Sequence, residues 1–171
     1  MLANDFLSVF YWWLVLFGIG VVFLPLTAKI FTRFYDRGYL FAKVLGLSIL
    51  SYFVWLFAHL KLIPFTQVSL LAVFGGAAVI SAIFLGRKKS LKKNLAGKNL
   101  KLIFLGEELI FFLALLFWSF IRGHNPEIQS LEKFMDYGFL NSILRSRFFP
   151  PADMWFAGEA INYYYYGHYL A

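Results

Sequence analysis

The stretch FLSVFYWWLVLFGIGVVFLPLTA, residues 6–28, decides the fold of this chain. It contains no Asp, Glu, Lys or Arg, and it exceeds the about 20 residues that an α-helix needs to cross a bilayer. It is also longer than the apolar core of a secretory signal peptide, and no basic region precedes it. We therefore predict a retained transmembrane helix here.

Three further apolar runs follow, at residues 39–60, 65–85 and 102–121. Hydrophobic residues make up 61% of the 171 residues and charged residues only 15%, whereas soluble domains carry about 25% charged residues. Backbone polar groups must pair internally in lipid, so runs of this length are helices. The sequence therefore predicts an all-α membrane protein with four transmembrane helices in residues 1–121. The absence of cysteine excludes disulfides and thiolate chemistry.

The basic residues predict the orientation of these helices. Loop 29–38 carries three of them, and loop 86–101 carries Arg87, Lys88, Lys89, Lys92, Lys93, Lys98 and Lys101. The link between the second and third runs offers only Lys61. The positive-inside rule then puts both basic loops in the cytoplasm, with the N-terminus and everything after residue 121 outside. Loop 86–101 is a topology determinant on this interpretation, and we expect a lipid partner rather than nucleic acid.

The part outside the membrane, residues 122–161, contains a predicted helix at about 127–147 that ends before Pro150 and Pro151. Its apolar positions suit a helix lying along the bilayer interface. Asn162 is a good N-cap, and tyrosines are common at the outer ends of membrane helices. Residues 162–171 are therefore predicted to begin a fifth transmembrane helix.

Glu132 and Asp136 stand one turn apart on the predicted interfacial helix. Two carboxylates in this arrangement can bind a divalent cation, or one can act as a base beside the other. The alternative is that they pair with Lys133, Arg145 or Arg147, or face water.

Asp153 and Glu159 flank a Trp155-Phe156 pair. These rings either stack on a sugar or anchor the chain at the membrane interface, and anchoring is the commoner use. The chain has three histidines without the spacing of a metal motif, so they give little reason to expect a metal site.

Residues 132–171 (EKFMDYGFLNSILRSRFFPPADMWFAGEAINYYYYGHYLA) resemble the signature of the YYY-type integral membrane proteins of archaea and Chloroflexi. The matching elements are Glu132-Lys133, Met135-Asp136, Phe149-Pro150-Pro151, Asp153, Trp155, Gly158-Glu159, Asn162 to Tyr165 and Gly167-His168. Members of this family are similar to C-type glycosyltransferases, which use polyprenyl-phosphate-linked sugars. They are also much longer, so the resemblance implies that this chain is an N-terminal portion of a longer protein.

The resemblance also implies roles for individual residues. Glu132 or Asp136 is the candidate general base that deprotonates an acceptor hydroxyl, and Asp153 or Glu159 assists it. The candidate cofactor is a divalent cation, Mg²⁺ or Mn²⁺, with Asp136 and Asp153 as candidate ligands. The candidate substrate-binding residues are Arg122, Arg145 and Arg147, which would hold the lipid phosphate, and Trp155, Asn162, Tyr163, Tyr164 and His168.

The second hypothesis is a non-catalytic membrane scaffold or a transporter component. The predicted spans contain few charges, namely Lys43 near one end and Glu107 and Glu108 near the start of the fourth. So few charges argue against an ion or proton pathway through the membrane.

Overall fold

The computed structural model describes residues 3–87, 95, 97–124 and 133–170. Its helices are α1 (Ala3–Ile30), α2 (Tyr39–His59), α3 (Gln67–Arg87), α4 (Lys98–Gly123), α5 (Lys133–Arg145) and α6 (Tyr165–Leu170). Within these residues the only β-pairing is an isolated antiparallel bridge between Ala152 and Ala160. The prediction of an all-helical protein is confirmed.

Three helices of the described residues are long and apolar enough to cross a membrane: α1 from Asp5, α2 and α3. Many of their large apolar side chains are exposed, among them Trp12, Leu71 and Ile80. Exposed apolar surface of this extent is expected where helices face lipid. The prediction of a membrane protein with several spans therefore holds for these three helices, and a fourth and a fifth span remain predictions.

The last helix begins later than predicted. The short α6 starts at Tyr165, three residues after Asn162. The backbone N–H of Tyr165 donates a hydrogen bond to Tyr163 O at 2.8 Å, just before the helix. Asn162 therefore lies in the preceding segment and is not the N-cap. Helix α5 lies within the predicted range of about 127–147, and its place at the membrane interface remains a prediction. Glu132 lies outside the described residues.

The connector between α1 and α2 sets the start of α2. The carboxylate of Asp36 accepts hydrogen bonds from the backbone of Gly38 at 3.0 Å and of Leu40 at 3.3 Å. These bonds satisfy N–H groups that the first turn of a helix leaves without a partner. Gly38 adopts a φ of 74°, and a Cβ there would lie 2.6 Å from the Phe31 ring, so both backbone and space require glycine.

The chain forms two compact units. The first unit comprises Met1–Leu47 and Gly75–Pro126, and the second comprises Ser48–Phe74 and Glu127–Ala171. Helices α2 and α3 each contribute one part to both units.

In the first unit, α1 packs against α2 and α4. A Cβ on Gly46 of α2 would lie 2.5 Å from Ile19 and 2.8 Å from Phe23, so only glycine permits this close approach. On the other side of α1, the ring of Trp13 meets that of Phe112 in α4, with their centroids 5.3 Å apart. Membrane helices commonly approach each other closely at small residues, as α1 and α2 do at Gly46.

In the second unit, a single apolar cluster joins α2, α5, α6 and the segment between α5 and α6. Its buried members are Ala58, Phe139, Ile143, Phe149, Ile161 and Tyr165. Two backbone hydrogen bonds tie the elements together at the edge of this cluster, from Phe65 N to Arg147 O at 2.7 Å and from Phe149 N to Ala58 O at 3.4 Å. The cluster fixes where α5 and α6 stand, and the candidate site lies between those two helices.

Candidate functional site

Asp136 and His168 meet in the second unit, although 32 positions separate them in the sequence. Asp136 lies in the first turn of α5, and His168 lies in α6. The imidazole Nε2 of His168 is 2.8 Å from Oδ1 of Asp136, which is a hydrogen bond between the two side chains. The sequence predicts Asp136 as a candidate base and His168 as a candidate substrate-binding residue. It does not predict that the two side chains are in contact.

Two tyrosines of α6, one of them in the run of four, hold this helix in place against α2. The hydroxyl of Tyr165 accepts a hydrogen bond from Trp55 Nε1 at 3.0 Å, and the hydroxyl of Tyr169 donates to the backbone oxygen of Ser51 at 2.8 Å. Tyr165 is buried, whereas Tyr163 and Tyr164 are exposed. The four tyrosines thus have different roles, with Tyr165 packed inside and the two before it on the surface.

Helix α5 is fixed by a close contact at Gly138. A Cβ at this position would lie 2.0 Å from the sulfur of Met154, so glycine lets Met154 pack directly on the helix. Ser142, one turn further along, donates a hydrogen bond from its hydroxyl to the backbone oxygen of Ala152. Phe139 and Ile143 are buried on the same helix. These contacts set the rotation of α5 and hence the direction of Asp136.

Residues 151–161 form a tight hairpin beside α5. Its ends are joined by hydrogen bonds from Asp153 N to Glu159 O at 2.8 Å and from Ile161 N to Pro151 O at 2.9 Å. Oδ1 of Asp153 accepts from the backbone N–H groups of Trp155 at 2.8 Å and Phe156 at 2.9 Å. Such side-chain bonds to the backbone stabilise a turn. Asp153 thereby shapes the turn that presents Trp155 and Phe156.

The two nitrogens of the His168 ring have different surroundings. Nε2 is hydrogen-bonded to the carboxylate of Asp136, whereas Nδ1 is buried and has no hydrogen-bond partner among the described residues. The hydrogen bond through Nε2 therefore orients the ring and the carboxylate relative to each other.

Asp136 is the accessible member of the pair. Its side chain is 49% exposed, whereas that of His168 is 21% exposed. A molecule that approaches the pair from solvent therefore meets the carboxylate before the imidazole.

An aromatic cluster centred on the buried Phe139 lies next to His168. The ring of Phe139 lies 4.9 Å from His168, 5.5 Å from Tyr163 and 5.9 Å from Trp155, measured between centroids. The rings of Phe139 and Tyr163 are stacked at 13°. Trp155, Tyr163 and Tyr164 are themselves exposed. Flat, exposed rings with polar edges are suited to contacts with the apolar face of a sugar or with a lipid interface.

The other predicted site residues are spread over the hairpin, the end of α5 and the end of α4. Glu159 and Asn162 are exposed on and after the hairpin, and Arg145 and Arg147 are exposed at the end of α5. Arg122 lies in the last turn of α4, in the first unit. Glu132 is not among the described residues. No group of three or more His, Asp or Glu side chains suited to a metal ion occurs within the described part of the chain.

Comparison with known proteins gives a family match and no close relative. Residues 49–171, well over half of the chain, match the model of a family described as uncharacterized membrane proteins, DUF2298. No curated protein and no solved structure matches the chain. The matched range begins within α2 and contains Asp136, His168 and the hairpin between them. The chain therefore belongs to the DUF2298 family of uncharacterized membrane proteins.

Proposed function

We propose that this chain is part of a C-type membrane glycosyltransferase, which transfers a sugar from a polyprenyl-phosphate donor to an acceptor hydroxyl outside the cytoplasm. The observation that carries the proposal is the hydrogen bond between Asp136 and His168 beside an exposed aromatic surface. The resemblance of residues 132–171 to YYY-type membrane proteins supports the same reaction class.

In the proposed reaction, the acceptor oxygen attacks the anomeric carbon of the sugar, and the bond from that carbon to the phosphate oxygen breaks. The polyprenyl phosphate leaves with the bonding electrons. Asp136 takes the proton of the acceptor hydroxyl, and general base catalysis of this kind contributes about 10²- to 10⁴-fold to a rate. His168 is the positioning residue, because the hydrogen bond of its Nε2 holds the carboxylate in one orientation.

The surroundings supply binding groups for such a donor. The exposed rings of Trp155, Tyr163 and Tyr164 offer stacking surfaces for the sugar. The exposed Arg145 and Arg147 at the end of α5 are candidate partners of the phosphate, since guanidinium groups bind phosphate oxygens in pairs. Asp153 acts by shaping the hairpin in this scheme, and Glu159 remains a candidate assistant to the base.

The membrane arrangement belongs to the same proposal. In it α4 is a fourth span, because its 26 residues are long enough and the charge of Glu108 is neutralised by Lys43. α6 begins a fifth span in a longer protein, and the basic loops 29–38 and 86–101 lie in the cytoplasm. The Asp136–His168 pair then faces the outside, where many lipid-linked sugars are consumed.

The test is a turnover assay with the purified full-length protein in liposomes that contain polyprenyl-phosphate hexoses. The readout is the polyprenyl phosphate liberated over time. We expect Asp136→Asn to lower the rate at least about 100-fold, because the amide keeps the shape of the carboxylate but cannot accept the proton. Asn141→Ala is the matched control, since Asn141 lies on the same helix and its amide donates to Tyr137 O at 2.8 Å, one turn earlier.

Equal rates in the wild type and Asp136→Asn would remove Asp136 as the base. A wild-type protein that neither binds nor consumes any of the donors, while it copurifies with a stable partner, would favour the scaffold hypothesis instead.

A further inference from the structure

The first unit contains a second group of ionisable side chains, which the proposed glycosyl transfer does not use. It is built around Glu107 and Glu108, in the N-terminal half of α4. Glu108 is buried and fully engaged: its Oε1 accepts from the ammonium of Lys43 and from the hydroxyl of Tyr39, and its Oε2 accepts from Trp13 Nε1 at 3.0 Å. Lys43 is also enclosed by rings, with its Nζ 4.5 Å from the centroid of Tyr39 and 4.8 Å from that of Phe111. Lys43 and Glu108 therefore neutralise each other.

Glu107 differs from its neighbour. It is only 8% exposed, and both of its carboxyl oxygens are buried without a hydrogen-bond partner among the described residues. The pKa of Tyr35 is raised, chiefly by a hydrogen-bonding interaction with Glu107, so this hydroxyl is close by. The two groups nevertheless fall short of full hydrogen-bond geometry. Lys43 also faces Glu107, but it is already paired with Glu108, so Glu107 is a buried carboxyl group without an ion-pair partner of its own among the described residues.

The charges that face Glu107 make an ionised form costly. They come from Asp36 in the connector, Lys43 in α2 and Glu108 in α4, and the hydroxyl groups near them are those of Tyr35 and Tyr39. The carboxylate of Asp36 accepts hydrogen bonds from the backbone of Gly38 and Leu40, and the ammonium of Lys43 is already bound to Glu108. An ionised Glu107 would be a third negative charge against a single positive one. Burying an unpaired carboxylate costs several kcal/mol, at the order of magnitude, and proteins usually avoid it by neutralising the group.

We propose that Glu107 is a proton-binding site of the helix bundle: its carboxyl group holds a proton at neutral pH, beside the ionised Lys43–Glu108 pair. The two adjacent glutamates then have different states, Glu107 neutral and Glu108 charged. On loss of the proton, the negative carboxylate of Glu107 would repel Asp36 and Glu108. This repulsion would loosen the contact between α4 and the connector before α2. The site is independent of Asp136 and His168, which belong to the second unit.

Infrared spectroscopy of the purified full-length protein in lipid tests the proposal directly. A protonated carboxyl group has a carbonyl stretch that an ionised carboxylate lacks. We expect this band in the wild type at neutral pH and its loss in Glu107→Gln. Glu159→Gln is the matched control, because Glu159 is exposed and its removal should leave the band unchanged. Raising the pH should remove the band from the wild type.

Identical spectra of the wild type and Glu107→Gln at neutral pH would overturn the proposal, since Glu107 would then be ionised and paired with a cation. The same holds if sodium or potassium removes the band at constant pH, because the bound species would then be exchangeable with a metal ion. Glycosyl transfer is not needed for either readout, so the failure of the proposed function leaves this test intact.

Discussion

At the scale of single residues, the half-exposed Asp136 and the mostly buried His168 divide the work of the proposed site. The carboxylate is the more exposed of the two groups, and the imidazole Nε2 is hydrogen-bonded to it at 2.8 Å. The sequence contained both residues within one matched motif but gave no sign that they touch. Their pairing depends on how α6 packs against α2 and α5, which no local pattern reveals.

Replacing His168 separates positioning from binding. His168→Gln keeps an N–H group that can reach Asp136 but loses the fixed ring, so we expect a moderate fall in kcat of about tenfold with an unchanged KM for the donor. His168→Ala removes the donor altogether, and we expect its kcat to fall further. A rise in KM with an unchanged kcat in both variants would instead give His168 a role in holding the substrate.

At the scale of helices and turns, most of the chain could be predicted. The apolar runs at residues 6–28, 39–60, 65–85 and 102–121 correspond to α1 to α4, because long apolar runs with so few charged residues favour helices. Pro150 correctly indicated where α5 ends, but Asn162 misled, since Asn is also common in the loop before a helix. The two clusters were harder: Lys43 and Glu108 lie 65 positions apart, and their ion pair arises only when α2 packs on α4.

The contact between α5 and the hairpin depends on Gly138. Gly138→Ala would place a methyl group against Met154, and we expect a loss of about 1–3 kcal/mol in the free energy of unfolding, as for other overpacked sites. Shortening the opposing side chain should relieve the clash, so the double variant Gly138→Ala/Met154→Ala should regain part of the loss. Thermal unfolding of the full-length protein in detergent measures both. Additive losses in the double variant would contradict the contact.

The Lys43–Glu108 pair predicts an asymmetry between two variants of the first unit. Lys43→Met leaves Glu108 buried without its cation, and we expect a loss of stability of about 3–5 kcal/mol. Glu108→Gln should cost less, because the freed ammonium can turn to Glu107 and take its place as partner. The midpoint of thermal unfolding should therefore fall further for Lys43→Met. Equal midpoints would mean that Glu107 does not lie within reach of Lys43.

At the scale of the whole molecule, the central question is which side of the membrane the hairpin occupies. The basic loops predict that residues 151–161 lie outside and the α1–α2 connector lies inside. The chain divides into two compact units, and α2 and α3 each contribute to both of them. This division could not be predicted from the sequence, because each unit combines segments that are distant along the chain.

The cysteine-free chain allows a simple topology test. Ala157 in the hairpin and Thr32 in the connector are both exposed, so each can be replaced by a single cysteine that a reagent can reach. We expect a membrane-impermeant maleimide to label Ala157→Cys in intact cells and to label Thr32→Cys only after the membrane is opened. The reverse pattern would invert the proposed orientation.

An extracytoplasmic site built on Asp136 is tested most directly by sugar transfer in sealed, right-side-out vesicles. The vesicles contain the full-length protein and a polyprenyl-phosphate sugar. The acceptor is water or an impermeant alcohol added outside. We predict that the wild type liberates polyprenyl phosphate under these conditions and that Asp136→Asn is at least about 100-fold slower. Equal rates for the two proteins, or turnover that occurs only in inside-out vesicles, would contradict an extracytoplasmic site built on Asp136.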